Sequence, residues 1–251
     1  MKRQLVRGLE ALLRRFGIAV LPEWRLGYVG QETYLRSLFA RLSVDCVIDV
    51  GANVGQYRDF LRERVGYGGW ILSFEPVAEH VEQMRARAGD DAKWRILEYA
   101  LGAELGVLHF NVMRSSVFSS FLVPDHAHTT EFVGQNEVSR VVEVEMRTLD
   151  ELLPPLLAET GARAPYLKLD TQGFDIEVAR GACTSLAAMV ALQTEASVTP
   201  IYAGMPGYRD SIDYFAARGF RLGGIFPVHP DAVLGLVEFD CHMVNAGRAG
   251  T

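Results

Sequence analysis

Four acids in this chain close short apolar runs, at positions where an α/β fold could put them to chemical use. Asp49 falls within Val47-Ile48-Asp49-Val50, and Glu75 follows Trp70-Ile71-Leu72-Ser73-Phe74. Asp170 follows Tyr166-Leu167-Lys168-Leu169, and Glu195 follows Met189-Val190-Ala191-Leu192-Gln193-Thr194. Such runs read as strands buried on both faces of a parallel sheet, and ligands of these sheets bind beyond the carboxyl ends of the strands.

After the first run come Gly51, Asn53 and Gly55, then Tyr57, Phe60, Leu61 and Val65 at helical spacing. Strand, glycine turn and helix in that order open a nucleotide-binding unit. Gly51 and Gly55 are expected to let a ligand approach the backbone, and the turn to present free N–H groups at the helix start. The pattern is D-x-G-x-N-x-G, which differs from the G-x-G-x-x-G of dinucleotide sites. Asp49 would repel a pyrophosphate and suits a ligand with a cationic ammonium or sulfonium. Glu75 follows Gly51 at close to the ~20 residues that place an acid on ribose hydroxyls. Pro76 then suits the first turn of the next helix.

Asp170 could bind an amino group, orient a hydroxyl or act as a base; capping of the next helix by Asp170 or Thr171 is the plain alternative. Glu195 is expected beside Asp170 in the sheet. Two carboxylates there could bind an acceptor and take its proton, and their closeness raises one pKa. Gly173 turns the chain into a helix over 174–180, and Lys168, inside a strand, needs a partner. Thr148, with Glu151 three residues later, reads as a capping box.

VIDVGANVGQY with SFEP, followed by EYALG (98–102), VEVEMRTLDELL (142–153), YLKLDTQGFDIEVARGA (166–182) and LQTEAS (192–197), resembles the FkbM family of S-adenosylmethionine-dependent methyltransferases. The likeness runs from about Val44 to Asn245. It implies S-adenosylmethionine as cofactor, held by Asp49, Gly51, Asn53, Gly55, Glu75, Pro76 and Asp170, with Ala100 and Leu101 against adenine. It completes a K-x-D-x-Q-G motif as Lys168, Asp170, Gln172 and Gly173, with Gln172 on the acceptor side. It implies an α/β Rossmann-like class I methyltransferase fold, a mostly parallel seven-stranded sheet in the order 3-2-1-4-5-7-6 with an antiparallel last strand and helices on both faces. Family members are largely O-methyltransferases of sugars and natural products, so the expected acceptor is the hydroxyl of a small molecule, with Asp170 and Glu195 as the catalytic pair. A carboxyl or N-methyltransferase, a nicotinamide-dependent oxidoreductase and a non-catalytic binding module are the competing readings.

Two alternating segments, 105–113 and 141–147, suggest a strand pair inserted between the third and fourth core strands. Between them Ser115 to Thr130 form a long segment, polar at both ends, of the kind that is functional or mobile. It reads as a lid, whose serine run resembles a cofactor-side loop of the family. Ser119, His126 and His128 are its candidate substrate contacts, with solvated histidines as the alternative. Tyr202, in the Pro- and Gly-rich stretch 197–207, either shapes acceptor specificity or packs. The final two strands, joined by a short loop, are expected to be antiparallel.

The 251 residues, 49% hydrophobic and 22% charged, suit one catalytic unit over 44–251 preceded by a helical cap over 1–43. A net charge of −6 argues against a general nucleic-acid partner. Three scattered cysteines without zinc spacing fit reduced, buried thiols and a cytoplasmic setting. No metal ligand spacing stands out. Residues 1–20 read as a basic amphipathic helix that packs on the domain or touches a membrane surface or partner, without reaching the ~18 apolar residues of a span. A homo-oligomer is compatible with all of this, and residues 246–251 are expected to fray.

Overall fold

The computed structural model describes residues 26–230, 233 and 235–248. The amphipathic segment at 1–20 lies outside the described residues. In chain order the elements are α1 (Leu26–Arg41), β1 (Cys46–Val50), α2 (Gln56–Phe60), β2 (Trp70–Phe74), α3 (Ala78–Ala88), β3 (Trp94–Leu97), β4 (Ala100–Leu101), β5 (Gly106–Met113), β6 (Val138–Arg147), α4 (Leu149–Thr160), β7 (Pro165–Leu169), α5 (Asp175–Arg180), α6 (Ser185–Ala188), β8 (Ala191–Ser197), α7 (Tyr208–Ala216), β9 (Phe220–Pro230) and β10 (Leu236–Asn245).

Seven strands form the central sheet in the order β3-β2-β1-β7-β8-β10-β9. All neighbours are parallel except β10, which runs antiparallel to β8 and β9. The expected strand order and the antiparallel final pair are therefore present. Alternate residues of each strand feed two cores. Ile48, Val50, Leu72, Leu167 and Leu169 pack with α4, α5 and α6 on one face. Val47, Ile71 and Tyr166 pack with α1, α3 and Trp94 on the other. Side chains of period two, buried on both sides, are why these strands read as near-continuous apolar runs.

The second face also carries a polar row. Ser73, Asp49, Lys168, Gln193 and His242 stand side by side in the strand register, from β2 to β10. Two residues further along, Asp170, Glu195 and Asp240 make a second row; Asp240 is paired with Glu195. This second row sits at the carboxyl ends of β7 and β8, so the sheet itself delivers the three acids to one edge.

The inserted strand pair is real and gains a third member: β4-β6-β5 form a small separate sheet. Its Ala100, Phe110, Val144 and Met146 cluster together and pack with Val77. The helix expected over 57–65 is split. α2 ends at Phe60, and Leu61–Val65 form a π-helical turn. The capping box at Thr148 is half made. Thr148 Oγ1 accepts from Glu151 N at 3.3 Å, but the Glu151 carboxylate pairs with Arg147 instead. Cys46 and Cys241 are buried, whereas Cys183 is exposed, against expectation. The start of the expected fraying tail is held, since Ala246 N donates to Gly219 O at 2.9 Å. Among the described residues no helix is long and apolar enough to cross a membrane.

Candidate active site

A cavity of about 480 Å³ opens at the carboxyl ends of β1, β2, β7 and β8. One end is built by the first glycine turn and β2. There Gly51, Asn53, Glu75, Pro76, Ala100 and Leu101 line it. The other end is lined by Asp170, Gln172, Gln193, Glu195 and Asp240. Ser119 and Phe121 of the lid segment close one side, and Tyr28 and Gln31 of α1 another.

At the first end Glu75 is held from three directions. Its Oε2 accepts from Asn53 N at 2.8 Å, its Oε1 accepts from Val77 N at 3.0 Å, and His80 Nδ1 lies 3.1 Å from Oε1. The carboxylate is thus fixed while still facing the cavity, with lone pairs left for a diol. The N–H groups of the turn itself, from Gly51 to Gly55, are all engaged. Gly51 and Ala52 both donate to Phe74 O, Asn53 donates to Glu75, Val54 to Gln56 Oε1 and Gly55 to Ala52 O. What the turn does offer is the Asn53 side chain, whose Oδ1 and Nδ2 are buried without a hydrogen-bond partner.

The glycines serve packing rather than ligand approach. A Cβ on Gly51 would lie 2.0 Å from Asp170 O, and one on Gly55 would lie 3.0 Å from the Trp94 ring. Both have positive φ, at 78° and 86°. Gly51 lines the cavity with its backbone, but Gly55 does not reach it.

Asp49 does not line the cavity either. It is fully buried beneath it, where the Lys168 ammonium lies 3.0 Å from its Oδ1 and Ser73 Oγ donates to its Oδ2 at 3.2 Å. Trp94 Nε1 donates in turn to Ser73 Oγ at 3.0 Å. The cation that Asp49 was expected to meet in a ligand is therefore supplied by the chain. Lys168 also stands 3.2 Å from Asp170 Oδ2 and 5.1 Å from the Tyr57 ring centre. This is the partner that a lysine inside a strand requires.

Gln172 ties the two candidate catalytic acids together. Its Nε2 donates to Asp170 Oδ1 at 3.1 Å and to Glu195 Oε2 at 2.6 Å. Its backbone is left-handed, with φ 54°. That strained conformation is held from the lid, where Ser120 Oγ donates to Gln172 O at 2.8 Å. Tyr202 does not touch the cavity. It is fully buried, and its hydroxyl lies 2.6 Å from Phe118 O and 3.1 Å from Gln172 Oε1. It braces Gln172 against the lid. The helix after β7 is anchored by Asp175 rather than by Asp170 or Thr171. Asp175 accepts from Thr171 N and Oγ1 on one oxygen and from Thr194 Oγ1 and Glu195 N on the other.

Burial pushes the Glu195 carboxyl well above the usual range, and the neighbouring Glu238 and Asp170 add to the shift. Burial raises Glu238 to about 8 and Asp240 to about 6. Desolvation disfavours the charged form of each acid, and like charges add to the effect.

His126 and His128 do not line the cavity. Their loop is bound on its far side, where Asp125 N donates to Ile201 O at 2.9 Å. The histidine that does line the cavity is His229 of β9, which the sequence reading missed together with Gln31, Tyr57, Gln193 and Asp240. Two of these had a signal. Gln193 precedes Glu195 by two and shares its face. Glu238, Asp240 and His242 alternate through an otherwise apolar strand, which marks a polar stripe on one face. Nothing local marks Gln31.

A model of the methyltransferase FkbM domain matches residues 49–222. Among solved structures, a methyltransferase FkbM from Methylobacillus flagellatus KT is similar at 13% identity and a TM-score of 0.50, over 79% of this chain. The match spans 43% of that structure's chain. Magnesium protoporphyrin IX methyltransferase from Synechocystis PCC 6803, solved with bound SAM, aligns more loosely at 10% identity and a TM-score of 0.46, over 95% of this chain and 91% of its own. No curated protein sequence matches this chain.

Proposed function

This chain belongs to the FkbM methyltransferase domain family, and on that premise we propose that it moves a methyl group from S-adenosylmethionine to a hydroxyl of a small molecule in the cytoplasm. One observation carries the reading: a single cavity of about 480 Å³ joins Glu75 and Asn53 at one end to the Asp170–Glu195 pair at the other. Its volume lies within the ~300–1,000 Å³ of ligand sites. The residues fit the cofactor on the structure's own terms. Glu75 keeps lone pairs toward the cavity for ribose hydroxyls, and the partnerless amide of Asn53 lies in the same wall. Ala100 and Leu101 offer an apolar surface for a flat base.

Bound there, the cofactor supplies an electrophilic methyl on a positive sulfur. The chain contributes alignment and proton removal. On the acceptor side, the Asp170–Glu195 pair would orient the hydroxyl and receive its proton. Gln172 holds Asp170 and Glu195 at a fixed separation, and Lys168 keeps a positive charge beside Asp170. Burial pushes the Glu195 carboxyl up, which favours its protonated form.

Isothermal calorimetry with S-adenosylhomocysteine tests the cofactor half, with micromolar binding expected and no response to NAD. Methyl transfer by wild type, set against Asp170→Asn, tests the chemical half. Tight NAD binding without a response to S-adenosylhomocysteine would sink the reading and restore the oxidoreductase alternative.

A further inference from the structure

The family match covers residues 49–222, yet one wall of the cavity is made outside those limits. Tyr28 and Gln31 of α1, Val228 and His229 of β9 and Asp240 of β10 form it. These segments behave as one unit. Gln31 Nε2 donates to Asp240 Oδ2 at 2.7 Å and lies 3.2 Å from His242 Nε2. Tyr34, one turn along α1, packs against Phe226 and His242 with ring centres 5.4 and 5.2 Å apart. Gly224 makes that contact feasible, since a Cβ there would lie 3.2 Å from the Tyr34 ring.

The wall carries a definite charge. Asp240 is the register partner of Glu195 and so extends the Asp170–Glu195 row. Among the described residues that line the cavity, Lys168 is the lone lysine and no arginine is present. The Lys168 charge is already shared by Asp49 and Asp170. Burial pushes the His229 imidazole down, so it brings no positive charge at neutral pH. Gln193 Oε1 accepts from Tyr57 Oη at 2.9 Å, and the Tyr57 and Phe60 rings complete the lining. A phosphate or carboxylate brought here would meet carboxylates with no free counter-charge among the described lining residues, which is strongly unfavourable. A hydroxyl or ammonium would find acceptors waiting for its protons.

We infer that this wall, built by α1 with β9 and β10, selects the methyl acceptor, and that the acceptor turns hydroxyl or ammonium donors toward it and no anionic group. The inference rests on the methyltransferase reading and narrows it, because it sets a carboxylate acceptor aside. It also names Gln31 and Asp240 as specificity-determining residues that the family's own segment does not contain.

The test is methyl transfer from labelled S-adenosylmethionine to a panel of sugars and polyols in matched forms. Methyl glucoside and methyl glucosaminide represent the uncharged and amine-bearing members, glucuronate and glucose 6-phosphate the anionic ones. Wild type should use members of the first group with kcat/KM ~100-fold or more above their anionic counterparts. Asp240→Asn should raise KM for the best acceptor about tenfold and narrow that ratio. Gln31→Lys, which adds a cation beside Asp240, should raise relative use of the anionic members. Affinity for S-adenosylhomocysteine should change less than about twofold in both variants, as expected of residues at the far end of the cavity. If Asp240→Asn fails to fold, Gln31→Lys decides alone. Preference for an anionic member, transfer to no member of either group, or unchanged discrimination in the variants would overturn the inference. Failure of wild type to bind S-adenosylhomocysteine would instead remove the methyltransferase reading beneath it.

Discussion

The two ends of the cavity hold their carboxylates in opposite ways. At the β2 end, Glu75 meets two backbone donors and an imidazole within 3.1 Å. At the β8 end, Glu195 and Asp240, with Glu238 behind them, are buried near Asp170; Gln172 donates to Glu195 and Gln31 to Asp240. The first arrangement is settled before a ligand arrives. The second is poised, because burial, with the nearby Asp170 charge adding to it, pushes all three acids up. A binding group and a proton acceptor need different things from the same side-chain type. Donors fix a carboxylate for recognition, and crowding tunes a carboxylate for proton exchange.

Lys168 offers the hardest way to break this contrast, because it touches Asp49 below the cavity and Asp170 within it. Lys168→Met leaves Asp49 buried without its cation and should cost about 3–5 kcal/mol in chemical denaturation. Adding Asp49→Asn to the same chain should recover part of that loss. Next in size, Asp170→Asn should lower kcat ~100-fold or more with affinity for S-adenosylhomocysteine nearly unchanged, measured by methyl transfer and calorimetry. Glu75→Gln should do the reverse, weakening S-adenosylhomocysteine by about 1.5–3 kcal/mol, roughly 10- to 150-fold, with a smaller effect on kcat. Equal effects of the two variants on binding would erase the distinction between the ends.

A smaller effect sharpens it. Glu238 holds its proton up to about pH 8 in the folded chain, against about 4.3 unfolded. The folded state therefore binds the extra proton, and stability falls as pH rises through that window. His242, pushed by burial down to about 3, works in the other direction, because only the unfolded chain charges it below about 6.5. Between pH 6.5 and 8.5 the acids act alone, so Tm should drop by roughly 5 °C there, and Glu238→Gln should flatten the drop. The same variant removes one charge that raises Glu195, so the acid limb of the pH–rate profile should move to lower pH. A limb that stays in place would show that Glu195 does not take the proton.

The strands and the Asp170–Glu195 adjacency were legible in the sequence because apolar runs and glycine turns are local, while the strand order came from the resemblance to the FkbM family. The sequence made Glu75 legible through the same local signals. It misassigned Asp49, because nothing in a one-dimensional reading shows that Lys168, far along the chain, stands in the adjacent register position. His126, His128 and Tyr202 looked available by residue type and loop position, but none lines the cavity, and the Tyr202 hydroxyl is spent on Phe118 O of the lid. Asp240 was readable from the alternation Glu238, Asp240, His242, once that strand is taken as antiparallel to β8. Gln31 was not, since its role depends on how α1 crosses β10.

Where β1 and β7 leave the sheet, the Cα of Gly51 rests on the carbonyl of Asp170, with no room for even one more carbon between them. In the proposed reaction, the strand tip assigned to the methyl donor and the tip assigned to its recipient are thus in direct contact. On that proposal, the span that the travelling carbon would cross is a mechanical property of this joint, set by a missing methyl group. Any residue larger than glycine would act as a shim, prying donor and recipient apart while leaving every reactive side chain intact.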